Sequence, residues 1–457
     1  MASPNLAPQE QPGPVPQPAA RSATAIADSV LFYGTFSLVL FAPLAFGSTD
    51  PWSVFVMQIV SASLFLLWLL RQVLSGSLQV TSNPLFRPIL FFAALVLLQV
   101  ALGITAYRYQ TYSSALQYVS YAILIFLATQ TLQRTSQVKV LAWAFSAYGT
   151  LLALFAILQS LSSNAKIYWL FEPEAGGWIY GPYVNHNHYA GLMEMLFPMS
   201  MVMTCTRHVS RRWRWLPMSA AVLMSSTIFL SGSRGGMIAF LVQAVLLGIF
   251  IARNRSRRGA FLAGAVLLVI AGLMLWVGGE GVLNRLTSIH SAAKTEIAGG
   301  IRFAIDRDAL KMFAKKPFLG WGLGNFATAY PQFRSFYSDK FVNEAHNDYL
   351  QVLVETGILG FVAVIWFLTL TIRRGLRKIG EWTWDINGAV ALAALVGCTG
   401  ILVHSFFDFN LQVPANAALF YVLCAIAAAE TRFGSHRRRR RTHASFPPLQ
   451  QPEPAAK

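Results

Sequence analysis

The sequence predicts an all-α integral membrane protein, and two observations predict it. The chain is 55% hydrophobic and only 12% charged, with a mean hydropathy of +0.49, whereas soluble domains carry about a quarter of their residues charged. Its apolar residues also fall in runs long enough to cross a bilayer, which takes about 20 residues as helix. Counting the runs gives about twelve transmembrane helices, with a long helical loop between the ninth and tenth. The lipid bilayer is thus the first partner the sequence names.

Met1 to Asp28 is rich in Pro, Gln and Ala and has no apolar core, so it reads as a disordered tail. It lacks the basic-then-apolar layout of a cleavable signal peptide. A transmembrane domain is expected over residues 29–430. Its first spans are Val30–Gly47, Trp52–Leu74, Leu85–Thr105, Ala115–Leu132 and Val140–Leu161. After a polar loop come His188–Thr206, Leu216–Leu230, Met237–Ala252 and Phe261–Val277. A long loop, residues 278–345, precedes Tyr349–Ile372, Gly388–Val403 and Pro414–Ala429. Residues 431–457 form a basic, Pro-rich tail.

The formal charge of +17 invites a nucleic-acid reading, but its distribution argues for topology instead. Arg71, Arg87, Arg134, Lys139, Arg207, Arg211, Arg212, Arg214, Arg253, Arg255, Arg257 and Arg258 follow the even-numbered spans. So do Arg373, Arg374, Arg377 and Lys378, and the run Arg437 to Arg441 closes the series. All fall on one side, which makes both termini cytoplasmic by the positive-inside rule and leaves no call for nucleic acid. Cys205, Cys398 and Cys424 show no metal or CxxC spacing and read as small buried hydrophobes.

The polar groups that remain converge on the opposite side. Arg234 lies in SGSRGG between two apolar spans. A snorkelling arginine would suit the basic side, so its place on the other face favours a ligand. In the long loop, Ile301, Ile305, Ala309, Met312 and Phe313 recur at helical intervals until Pro317 stops the helix. Arg302 on that helix is either a ligand contact or a solvated residue paired with Asp306. Gly320, Gly322 and Gly324 then make a turned connection.

His346, in EAHNDY, stands where the loop becomes a long apolar helix. It is a cap or buried hydrogen-bonding group, or a general base whose tautomer Glu344 and Asp348 fix. The run Asn185 to His188, with His404 and Asp408 in HSFFDFN, belongs to the same level. Histidines two apart do not share a helix face, so a helical metal site is not expected there. No acidic cluster suits a magnesium-held nucleotide sugar. Arginines in contrast grip phosphate oxygens bidentately.

Three motifs in order, SGSRGG, GIR with FLGWGLGNF, and AHNDYLQVLVETGILG, resemble those of the O-antigen ligase and O-antigen polymerase superfamily of bacterial membrane proteins. The similarity covers roughly Gly181 to Asn416. It implies a GT-C-like glycosyltransferase in the bacterial inner membrane, with its site on the periplasmic side and no metal or cofactor. The implied donor is a glycan on undecaprenyl pyrophosphate, and the acceptor is the lipid A-core or a growing glycan. On this resemblance Arg234 and Arg302 bind the donor pyrophosphate and His346 activates the acceptor hydroxyl. Asn185, His186, Glu344 and Asp348 are supporting candidates. A ligase is the leading expectation, beside a polymerase or a protein O-oligosaccharyltransferase.

Two readings from other classes remain: a transporter of lipid-linked glycans and a structural envelope subunit. Transport needs a polar path through the bilayer, and ionisable residues within the spans are sparse, Glu194 and Glu355 being the notable ones.

Overall fold

A computed structural model describes residues 18–164, 166–173, 179–253, 297–337 and 341–429. Among these residues all regular elements are helical, beside two isolated bridges, Ile167 with Phe171 and Tyr180 with Tyr183. The helices are α1 Pro18–Leu44, α2 Pro51–Ser75, α3 Phe86–Ala101, α4 Arg108–Thr131 and α5 Thr135–Ser162. Next come α6 His186–Cys205, α7 Trp215–Leu230, α8 Arg234–Arg253, α9 Ile297–Lys315 and the short α10 Phe326–Ala329. The last three are α11 Asp348–Lys378, α12 Ile386–His404 and α13 Pro414–Ala428.

Eleven of the twelve expected spans coincide with helices, and seven helices are long and apolar enough to cross a membrane. Two more, α3 and α13, are apolar but shorter. The expected span Phe261–Val277 lies outside the described residues, as do loop residues 278–296 and the run Arg437 to Arg441. One boundary differs at the outset: α1 begins at Pro18, inside the segment expected to be a tail. Another differs at α4, which starts at Arg108 because the aromatic-polar stretch before Ala115 continues the helix. Exposed Tyr109 and Tyr112 on that turn suit a membrane interface.

Local chemistry sets where the helices start. Pro51 and Pro414 open α2 and α13, where a missing N–H costs nothing. The Asp385 carboxylate caps α12 by accepting from the amides of Asn387 and Gly388. Helix α12 is buried along almost its whole length, against α6 and α8, and small residues permit the approach. A Cβ at Gly397 would stand 2.9 Å from the Met195 carbonyl oxygen. Helices α12 and α6 thus form a close-packed central pair, and α5, α7, α8, α11 and α13 pack against it.

Helix α11 is broken at Gly357, whose φ of +64° and ψ of −169° leave the helical region. The loop 317–326 closes that break. Trp321 and Gly322 donate to the Val354 and Glu355 carbonyls at 3.0 and 2.9 Å, and Ile358 donates to the Pro317 carbonyl at 2.8 Å. The Glu355 carboxylate accepts from the amides of Gly324 and Phe326 at 2.7 and 3.2 Å. Irregular backbone in a membrane protein is tolerated when its polar groups are met inside the protein, and here the loop meets those of Val354, Glu355 and Ile358, with the Gln99 side chain also donating to the Glu355 carbonyl at 2.9 Å. At Gly357 a Cβ would drive into the Phe318 carbonyl. Gly357→Ala should therefore cost about 2–5 kcal/mol, from left-handed strain plus overpacking. Thermal denaturation of the purified protein in detergent checks this, and an unchanged midpoint would contradict it.

Helix α9 lies over this loop with the expected face inward. Ile305, Ala309 and Met312 are buried against Phe326, Tyr330, Ala345 and Val354, and Ile301 and Phe313 pack at the edge. Its other face carries Arg302 toward the end of the bundle where α6, α8 and α11 begin.

Candidate active site at one end of the bundle

The starts of α6, α8 and α11 meet the turn that joins α12 to α13, residues 405–413. Asp408 in that turn is buried, with 1% of its side chain exposed, and it gathers the site around it. His346 Nδ1 stands 3.4 Å from Asp408 Oδ1. Arg302 Nη2 lies 3.9 Å from Asp408 Oδ2, and its Nη1 donates to the Phe407 carbonyl at 2.9 Å. The Asn187 amide also donates to Asp408 Oδ2, and the Phe409 amide donates to Oδ1 at 2.9 Å. Burial alone would raise this carboxyl, but the His346 hydrogen bond and the nearby His188, Arg302 and His346 charges hold it well below the usual carboxylate range.

Two consequences follow for the side chains on top. With Asp408 accepting at Nδ1, the imidazole of His346 takes the Nδ1–H tautomer and leaves Nε2 free to accept a proton. Phe409 fixes the ring plane, packed between His188 and His346 with centroids 4.9 Å from each. Backbone geometry also presents His346: it has φ +55°, a left-handed conformation that costs a non-glycine residue about 1–3 kcal/mol. Arg302 is anchored at one edge of its guanidinium and 45% exposed, so its remaining N–H groups face outward.

Glu344 and Asp348 do not set the tautomer of His346, contrary to the sequence-based expectation. The left-handed turn at His346 parts it from its neighbours in sequence, and both carboxyls have other partners. Glu344 accepts from the Gln351 amide. Its pKa is pushed up to about 8, by burial first and by Glu355 and Asp348 nearby. Asp348 accepts from Ser405 Oγ at 2.7 Å, the Leu411 amide at 3.1 Å and the Gln412 amide at 3.1 Å. It thereby ties the start of α11 to the Asp408 turn. Arg302, for its part, turns to Asp408 and Phe407. Asp306 one turn on is pushed up to about 6 by burial, against the pull of His346 and Arg302.

Asn185 is the N-cap of α6, its side chain accepting from the Asn187 amide at 2.9 Å. His186 follows it, half-buried, on the first turn. Of this run Asn187 reaches Asp408 through its side chain and His188 packs on Phe409, and sequence reasoning left both without a role. Asp408 was visible only as part of HSFFDFN.

Arg234 opens α8, half-buried. A cation at a helix N-terminus opposes the helix dipole. Its neighbours hold it to the same turn. Ser233 caps α8 by accepting from the Gly236 amide at 3.1 Å, and its Oγ lies 3.4 Å from His404 Nε2. A Cβ on Gly235 would stand 2.6 Å from His404 Cδ2 and 3.4 Å from Phe407 Cβ. Arg302 and His346 thus share Asp408 directly, and the residues flanking Arg234 pack on His404 and Phe407. No group of three or more metal-ligating side chains forms among the described residues.

Fold and site define a polytopic helical membrane protein with an arginine–histidine–aspartate cluster at one end of the bundle. Residues 219–365, from α7 into α11, match the family model described as O-antigen ligase. This match bears out the resemblance to the O-antigen ligase and polymerase superfamily and supports a membrane glycosyltransferase of that general type. No curated protein matches the chain.

Proposed function

We propose that the chain transfers a glycan from undecaprenyl pyrophosphate to an acceptor hydroxyl at the periplasmic face of the bacterial inner membrane, as an O-antigen ligase with the lipid A-core as acceptor. The observation that carries this reading is the meeting of Arg302 and His346 on one buried anion, Asp408. In the reaction His346 Nε2 takes the hydroxyl proton and the acceptor oxygen attacks the anomeric carbon. The bond from that carbon to the diphosphate oxygen breaks, and its electron pair leaves on the diphosphate. Arg302 and Arg234 offset the charge that develops there. No step calls on a metal, because the arginines supply the positive charge.

A cavity of about 290 Å³ supports a lipid-linked donor. It runs between α3, α4, α11 and α13, lined by apolar side chains such as Phe92, Val96, Phe367 and Phe420, and reaches Asp348 and Gln412 at the site. Its wall takes residues from both sides of the break in α11, Asp348 to Val352 and Phe361 to Leu368. A hydrocarbon chain lying there would bring its diphosphate to the outer end of the bundle.

Two experiments test the reading. Tyr337 is 95% exposed on the loop that carries α9. Tyr337→Cys should react with a membrane-impermeant maleimide in intact spheroplasts, and reaction only after lysis would put the site on the wrong side. Transfer by the purified protein should persist in EDTA. Loss that magnesium restores would overturn the arginine-based mechanism.

A further inference from the structure

Glu194 and His404 form a buried pair that the proposed mechanism does not use. Glu194 Oε1 lies 2.8 Å from His404 Nδ1, with 0% and 1% of the two side chains exposed. A carboxylate inside a membrane domain is costly even when paired, and apolar packing of equal volume often stabilises as well. Stability alone is therefore a poor reason for this pair.

Its surroundings supply another reason. His404 is the last residue of α12, and its carbonyl accepts from the Phe407 and Asp408 amides at 2.8 and 3.2 Å, so the Asp408 turn hangs from it. Its ring meets Ser233 and Gly235, the residues on either side of Arg234. Gly236 adds a third contact, since a Cβ there would stand 3.1 Å from Glu194 Oε1. The Glu194 acceptor fixes the Nδ1–H tautomer and turns Nε2 to receive the Ser233 hydroxyl.

We infer that Glu194 and His404 are positioning residues that hold the Arg234 turn against the Asp408 turn, setting the spacing of Arg234 from Arg302 for one diphosphate. This rests on the reading of Arg234 and Arg302 as diphosphate contacts. Misplacement of a binding group by about 1 Å costs up to 10²-fold, so such a device has a measurable effect without touching the ligand.

The test uses the full-length purified protein in detergent and farnesyl diphosphate as probe, read as a dissociation constant. His404→Leu should weaken binding about tenfold when Arg234 is present and less than twofold in an Arg234→Gln chain, because the pair acts through Arg234. Glu194→Leu should behave likewise, and Glu194→Gln, which keeps an acceptor for Nδ1–H, should recover most of the loss. A merely structural role predicts equal loss in both Arg234 backgrounds, together with a lowered thermal midpoint, and that result would overturn the inference. So would unchanged binding in His404→Leu while the parent chain binds the probe, which leaves the diphosphate reading standing. Failure of the parent chain to bind would instead remove that reading and the inference with it. If His404→Leu does not fold, the comparison of Glu194→Leu with Glu194→Gln decides the matter.

Discussion

Replacing His346 by alanine is expected to lower glycan transfer about 10²–10⁴-fold, the usual cost of losing a general base, while diphosphate binding stays within about twofold. The separation follows from the geometry. His346 approaches Asp408 through Nδ1 and offers Nε2 outward, whereas Arg302 holds its own anchors on Asp408 Oδ2 and the Phe407 carbonyl. Removing the imidazole takes away the proton acceptor and leaves the guanidinium in place. His346→Ala should therefore lower kcat with little change in donor KM. A rise in KM with kcat unchanged would make His346 a binding residue and leave the base unassigned.

Asp408→Asn should lower transfer about 10²-fold by a different route, and should weaken diphosphate binding as well. The asparagine keeps the shape but removes the buried anion that Arg302, His346 and Asn187 share. An amide can donate to Nδ1 and select the wrong tautomer, which places a proton on Nε2. Arg302 loses its charge partner and with it the orientation that aims its free N–H groups, and loose positioning of this kind costs about 10²-fold. Because Asp408 is held well below the usual carboxylate range, it remains an anion throughout the range in which the enzyme is assayed. Asp408 should consequently add no limb of its own to the pH profile of transfer. Transfer by Asp408→Asn at the parent rate would show that Arg302 and His346 need no common anchor.

Much of the fold was legible because hydropathy and length speak for themselves in a membrane. The face of α9 was legible too, since Ile305, Ala309 and Met312 keep a helical period in an otherwise polar loop. The break at Gly357 was not, because QVLVETGILGF reads as one apolar run and its hydrogen bonds come from a loop some 35 residues earlier. At the site, the residue types announced themselves: two arginines and a histidine on the side where charge is rare. Their anchor did not. Asp408 lies 62 positions from His346 and more than 100 from Arg302, and pairing over such separations is set by how α12 and α13 place their joining turn. Glu344 and Asp348 misled through adjacency, which the left-handed backbone at His346 undoes. Asn185 was noticed for its polarity and proves to be a helix cap, while Asn187 two positions later makes the contact.

The central claim is that this cluster joins a glycan to an acceptor, and the direct measurement is product analysis. The purified full-length protein is mixed in detergent with lipid-linked glycan and a lipid A-core acceptor, and the joined product and released polyprenyl diphosphate are quantified by mass spectrometry. Detergent abolishes the two compartments, so a transporter would have no work to do. Joined product and free diphosphate rising together in equal amounts, and both disappearing in His346→Ala, is the predicted result. Lipid-linked glycan that stays intact beside the parent protein, or product that forms at the same rate in His346→Ala, would contradict it.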